Sequence, residues 1–200
     1  VLPVSPRVRR AAIFALAIGG FGIGTTEFVA MGLLPNIAHG FGVTEPEAGH
    51  VISGYALGVV VGAPIIAALT ARAARRTLLI ALMIAFTIGN AATMFAPGYA
   101  ALIVSRFVSG LPHGAYFGIA ALVAAHLAGP GGRAKAVGQT MLGLSVANVV
   151  GVPAATWLGN TVGWRAAFAV VAVIGVVTIV ALLRFLPGLT DMTITNPLTE

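Results

Sequence analysis

Glu27, Arg106 and His113 are ionisable residues placed deep inside apolar stretches, where water is scarce and a charge must be met by protein. Glu27 lies eight residues before Pro35, roughly 12 Å along a helix axis, too deep for a short side chain to snorkel to a membrane surface. Arg106 lies seven residues after Tyr99, so its Cα falls at a similar depth and the two groups are within reach of each other. If they share a cavity, moving water or substrate between them switches the protonation of the carboxylate, which is how a proton-coupled device works. His113 follows Arg106 by seven residues on one helical face, and histidine is the residue type suited to relaying protons at neutral pH. Plainer readings stand beside these: an arginine is long enough to snorkel, and a lone histidine in a packed helix is often only hydrogen-bonded. Tyr55 and Asn148 are the polar residues expected to line a substrate path. Asn90, Tyr116, Gln139 and Ser145 either do the same or bond a neighbouring helix.

The elements that position these residues follow from composition. Of 200 residues, 58% are hydrophobic and 8% charged, where a soluble domain carries roughly 25% charge. The chain therefore reads as an integral membrane protein in contact with the lipid bilayer, with room for six transmembrane helices and no separate soluble domain. Apolar runs fall at 11–34, 49–71, 77–95, 100–127, 136–158 and 165–186. This predicts a short segment 1–10, a six-helix bundle 11–186 and a polar tail 187–200. The stretch 35–50 reads as a polar loop, in which Thr44 to Glu47 has the form of a capping box. Placing both termini in the cytoplasm puts Arg7, Arg9, Arg10, Arg72, Arg75, Arg76, Arg133, Lys135 and Arg184 at the inner side and leaves only Arg165 at the outer one. The net charge of +6 is scattered between apolar runs as topology signals are, so nucleic acid is not an expected partner. There is no cysteine, hence no disulfide or thiolate site. The first apolar run is also too long for a cleaved signal peptide.

Helical geometry puts Gly20, Gly24, Glu27 and Met31 on one face of the first helix, so a partner backbone can approach and the carboxyl group points into the protein. An internal repeat at an offset of 89 residues lays Gly54, Gly62 and Pro64 over Gly143, Gly151 and Pro153. With three helices per copy, the second unit is inverted relative to the first, an arrangement found in secondary transporters. Close contacts through Gly58, Gly62 and Gly151, with bends at Pro64 and Pro153, would let helices rock without exposing backbone polar groups to lipid.

With these residues in view, 11–186 resembles the N-terminal six-helix half of the major facilitator superfamily, nearest the bacterial drug or sugar:proton efflux branch that includes arabinose and chloramphenicol exporters. The stretch Gly24-Thr25-Thr26-Glu27-Phe28 and the run Ser53-Gly54-Tyr55-Ala56-Leu57-Gly58 carry that likeness most specifically. The loop after the second helix is similar to the superfamily's G-x-L-a-D-R-x-G-R-R pattern at Leu69, Arg72, Arg75 and Arg76. Ala71 stands where the pattern has its aspartate and Ala74 where it has its second glycine, so the latch attributed to that aspartate lacks its carboxylate. Arg106, Gly110 and Gly114 resemble the R-x-x-x-G motif linked to proton coupling. Gly143, Gly151, Pro153 and Gly159 resemble the antiporter motif, with Val152 splitting its usual Gly-Pro pair.

The expected fold is an all-α membrane protein, six transmembrane helices in two inverted three-helix repeats. The expected function is proton-coupled efflux of a small-molecule substrate, such as a drug or sugar, by alternating access in the bacterial inner membrane. The sequence has no nucleophile elbow, Walker loop or metal-spaced cluster, so neither an enzyme nor a cofactor nor a metal site is expected. The family resembled has about twelve helices, and the tail lacks the basic loop expected before a seventh. That points to a half or truncated chain, which works with a second six-helix half or as a homodimer. The alternatives are a non-transporting scaffold that pairs with another transporter half, and an inactive fragment.

Overall fold

Long apolar runs broken by proline, glycine and arginine become helices, and in the computed structural model these account for nearly all of residues 5–189, the residues the structure describes. The polar tail 187–200 falls largely outside that range. In chain order the helices are α1 (Pro6–Gly32), α2 (Leu34–Phe41), α3 (Glu45–Ala48), α4 (His50–Leu69), α5 (Arg75–Met94), α6 (Tyr99–Ala128), α7 (Arg133–Val146), α8 (Val152–Val162) and α9 (Trp164–Phe185). A π turn, Ala147–Gly151, joins α7 to α8. Among the described residues six spans are long and apolar enough to cross a membrane: α1, α3–α4, α5, α6, α7–α8 and α9.

Local signals set the boundaries. Ser5 caps α1, accepting a hydrogen bond from the Val8 amide, and Pro6 opens the helix where no amide donor is needed. The stretch 35–50 is more structured than its polar composition implies. Pro35 starts α2, Ile37 and Ala38 are buried, and Gly42, at φ 65°, supplies the left-handed turn that ends it. The capping box at α3 is complete, with the Glu47 carboxylate 2.8 Å from the Thr44 amide and Thr44 Oγ1 accepting from the Glu47 amide. The Tyr99 hydroxyl donates to the Glu47 carbonyl and so pins α3 to the start of α6.

The two three-helix units repeat their packing as well as their sequence. The second helix of the first unit, α4, packs on α6, the first helix of the second unit, and α7 packs reciprocally on α1. The third helices, α5 and α9, pack on each other. Glycines make these crossings close. A Cβ on Gly58 or Gly62 would run into the carbonyl oxygens of Phe107 or Leu111 on α6, and one on Gly110 into that of Tyr55. Across the repeat, Gly143 lies against the Ala17 carbonyl and Gly151 against Thr25 and Phe21 of α1. Pro64 lies within α4, which continues through it to Leu69. Pro153 stands in the first turn of α8, directly after the π turn Ala147–Gly151.

Leucine at Gly62 or Gly151 should leave insertion intact, since it raises hydropathy, while forcing backbones apart at a cost of about 1–3 kcal/mol. The expected outcome is normal abundance in membranes with transport blocked; normal transport by either variant would show that the close crossings do not govern movement.

Candidate functional site

The core lies in two parts along the bundle, and the ionisable residues sit between them. One part centres on Leu79, Phe86, Tyr116 and Val171, and the other on Val29, Leu102 and Phe168. Arg106 projects from α6 into this junction and is 0% exposed. Its Nη1 donates to Thr26 Oγ1 at 2.9 Å and its Nη2 to the Thr26 carbonyl at 2.8 Å. The Thr26 hydroxyl in turn donates to Asn90 Oδ1 of α5, at 2.5 Å, and the Asn90 amide donates to the Phe86 carbonyl. The guanidinium lies 4.5 Å from the Tyr55 ring centroid and 5.1 Å from that of Phe168, while its Nε is buried without a hydrogen-bond partner.

Glu27 is the next residue along α1, and its side chain is 30% exposed. The expected meeting of Arg106 with Glu27 therefore takes a different form: the fork of the guanidinium is occupied by Thr26, and the carboxylate turns toward His113. Glu27 Oε2 lies 4.0 Å from His113 Nε2, and His113 Nδ1 lies 3.0 Å from the Tyr55 hydroxyl. When Tyr55 donates to Nδ1, the imidazole carries its proton on Nε2, the nitrogen facing the carboxylate. The Gly58–Gly110 crossing brings α4 and α6 close enough for Tyr55 and His113 to share that bond.

The other expected residues separate by position. Gly20 and Gly24 of the Glu27 face are packed, against Phe117 and against Leu144 and Ala147, but Met31 is 50% exposed. The neighbouring helices shield only the glycine stretch of that face. Asn148 is exposed on the π turn, where its amide donates to the Leu144 carbonyl at 3.0 Å, and the structure does not join it to the Glu27 group. Gly114 faces Ala63. Arg72 is exposed. Arg75 is buried and donates to the Thr70 and Ala71 carbonyls at the end of α4, favourable at a helix C-terminus. Arg76 Nη2 donates to the Leu183 carbonyl at 2.7 Å, tying α5 to α9. Thr26 and Phe168 were not anticipated. The hints for Thr26 were its adjacency to Glu27 and its place in the Gly24-Thr25-Thr26-Glu27-Phe28 stretch, while Phe168 is indistinguishable in sequence from packing aromatics. Among the described residues no group of three or more His, Cys, Asp or Glu side chains could hold a metal ion.

The sequence model of the Major Facilitator Superfamily matches residues 16–196. The chain belongs to the Major Facilitator Superfamily. Its similarity extends to the inner membrane transport protein YdhP of Escherichia coli K12, at 51% identity over 88% of this chain and 45% of that protein. It is 41% identical to the putative transporter AraJ of the same strain, over 91% of this chain and 46% of AraJ. It is 34% identical to a chloramphenicol resistance protein of Streptomyces lividans, over 88% of this chain and 45% of that protein. The fold is that of the proton:xylose symporter XylE, with a TM-score of 0.79 at 15% identity over 90% of this chain and 45% of XylE. The chain thus spans about half the length of the curated relatives it matches. In this superfamily chain the Arg75 hydrogen bond to the Ala71 carbonyl falls at the position where the family pattern has its aspartate.

Proposed function

We propose that this chain is one half of a proton-coupled secondary transporter that exports a small molecule by alternating access in the bacterial inner membrane. Its N-terminus is cytoplasmic, on the side where the basic residues gather. Glu27 carries the proton, His113 relays it with its tautomer set by Tyr55, and Arg106 holds a fixed positive charge beside the exchange. The observation that supports this most directly is the order Tyr55–His113–Glu27, a 3.0 Å hydrogen bond followed by a 4.0 Å approach of imidazole to carboxylate, next to a fully buried guanidinium. The relative named for chloramphenicol resistance supports a drug-like substrate. Substrate and partner half would meet the exposed face of Glu27, toward Met31, where α1 is open.

The reading is tested by joining this half to a second six-helix unit, as in its full-length relatives, and reconstituting the pair in vesicles holding a pH-sensitive dye. A panel of sugars and chloramphenicol-like compounds is then added. Proton movement opposite to substrate, present with at least one compound, is the expected result. Substrate movement without any proton flux would exclude coupling.

A further inference from the structure

The N-terminal ends of α1 and α7 frame a polar cavity of about 340 Å³ whose charged lining is Arg9, Arg10 and Lys135. Arg10 and Gln139 also line the adjoining depression, of about 360 Å³, together with Phe14 and Leu142. From there Phe14 and Leu142 lead into a third, of about 320 Å³, which reaches Phe21 and Val146 and presents no polar surface. The shared lining residues make these one groove, cationic at its mouth and hydrocarbon-like in its depth. No described carboxylate is placed to neutralise the mouth: Glu27 lies near the far end of α1, roughly 25 Å along the helix from Arg10, and Glu45 and Glu47 lie at the opposite end of the bundle. Gly132, which also lines the mouth, is the N-cap of α7 and offers no side chain to its first amides.

We infer that this groove binds an anionic glycerophospholipid, its phosphate at Arg9, Arg10 and Lys135 and one acyl chain along Phe14, Leu142 and Phe21. The length agrees with the ligand. Arg10 to Phe21 spans roughly 16 Å of helix, about half the hydrocarbon thickness of a bilayer and so the reach of one leaflet. The charge agrees as well, since each basic residue at a membrane surface favours anionic over zwitterionic headgroups. A second copy of this chain fits poorly there, because a two-fold contact would bring two sets of the same cations together. The site stands on α1 and α7 alone and does not depend on what is transported.

The test is native mass spectrometry of the chain in neutral detergent with dipalmitoyl phosphatidylglycerol, dipalmitoyl phosphatidylcholine or inorganic phosphate added. Phosphatidylglycerol should be retained about tenfold better than phosphatidylcholine. Combined Arg9→Gln, Arg10→Gln and Lys135→Gln should erase that preference, while Arg9→Lys with Arg10→Lys keeps it and shows that the fold tolerates changes at the mouth. Leu142→Trp, which fills the apolar part, should weaken retention of phosphatidylglycerol. Equal retention of the two lipids, or an unchanged preference in the triple glutamine variant, would overturn the inference. So would displacement of phosphatidylglycerol by inorganic phosphate, which marks a free-anion site, or a lipid-free dimer closed over the groove.

Discussion

Glu27→Gln should reduce proton-driven transport on the order of 100-fold or more while leaving the protein folded, the size of effect seen when a positioned proton-transfer group is removed. Glutamine keeps the shape and hydrogen-bonding reach of the side chain and removes only its capacity to take up and release a proton. Folding is expected to survive because the carboxylate is part-exposed and its polar contact in the bundle is the 4.0 Å approach to His113, longer than a hydrogen bond. In vesicles carrying a pH gradient, the joined protein with Glu27→Gln should fail to accumulate substrate, yet exchange labelled for unlabelled substrate at the normal rate. Loss of both activities together with a lowered melting temperature would instead assign Glu27 a structural role. Full accumulation by the variant would remove it from the coupling mechanism altogether.

Sequence made the six spans legible because each is a run of roughly 20 apolar residues, and such runs end where arginine, proline or glycine interrupts them. Depth was legible for the same reason: residue counts from Pro35 and Tyr99 put Glu27 and Arg106 at one level, and Arg106 indeed bonds the residue next to Glu27. Azimuth was not. Counting residues gives height along a helix but not which neighbour fills the space beside it, so the choice of Thr26 over Glu27 by the guanidinium had no sequence signal. Met31 shares the face of Gly20 and Gly24, yet whether that face is covered depends on where α7 and the π turn run. Helix α2 was hidden because a short helix buries few residues and reads as polar loop, with Ile37 and Ala38 its buried anchors, whereas the start of α3 was marked by its capping box. The π turn ends at Gly151, which packs on Thr25 and Phe21, and no composition rule marks it. The repeat was visible in a handful of glycines and prolines because backbone crossings tolerate little else at those positions, and the reciprocal packing of α4 on α6 and α7 on α1 is its spatial counterpart.

Arg106→Met gives the second large effect, with opposite signs in two measurements. A fully buried guanidinium has lost its hydration, and its compensation here consists of two bonds to neutral oxygens of Thr26 and the faces of two aromatic rings, with Nε left bare. Among the described residues no carboxylate pairs with it at salt-bridge distance, so the Coulombic gain that normally offsets desolvation is small. A buried ion pair replaced whole by apolar side chains leaves stability unchanged or raised by about 1–4 kcal/mol, and replacing Arg106 likewise leaves no paired carboxylate behind among the described residues. The Thr26 hydroxyl keeps its bond to Asn90 after the change, so the replacement does not strand that donor. The expected result is an unchanged or raised melting temperature with proton-coupled transport lost. Arg106→Lys retains the charge but cannot hold both Thr26 oxygens with a planar fork, and should recover part of the transport without the stability gain. If Arg106 served only to hold α6 against α1, the methionine variant would melt lower and any loss of transport would follow that loss of stability. A protein that melts no lower and yet transports nothing would mean that the positive charge is kept for function at the expense of stability.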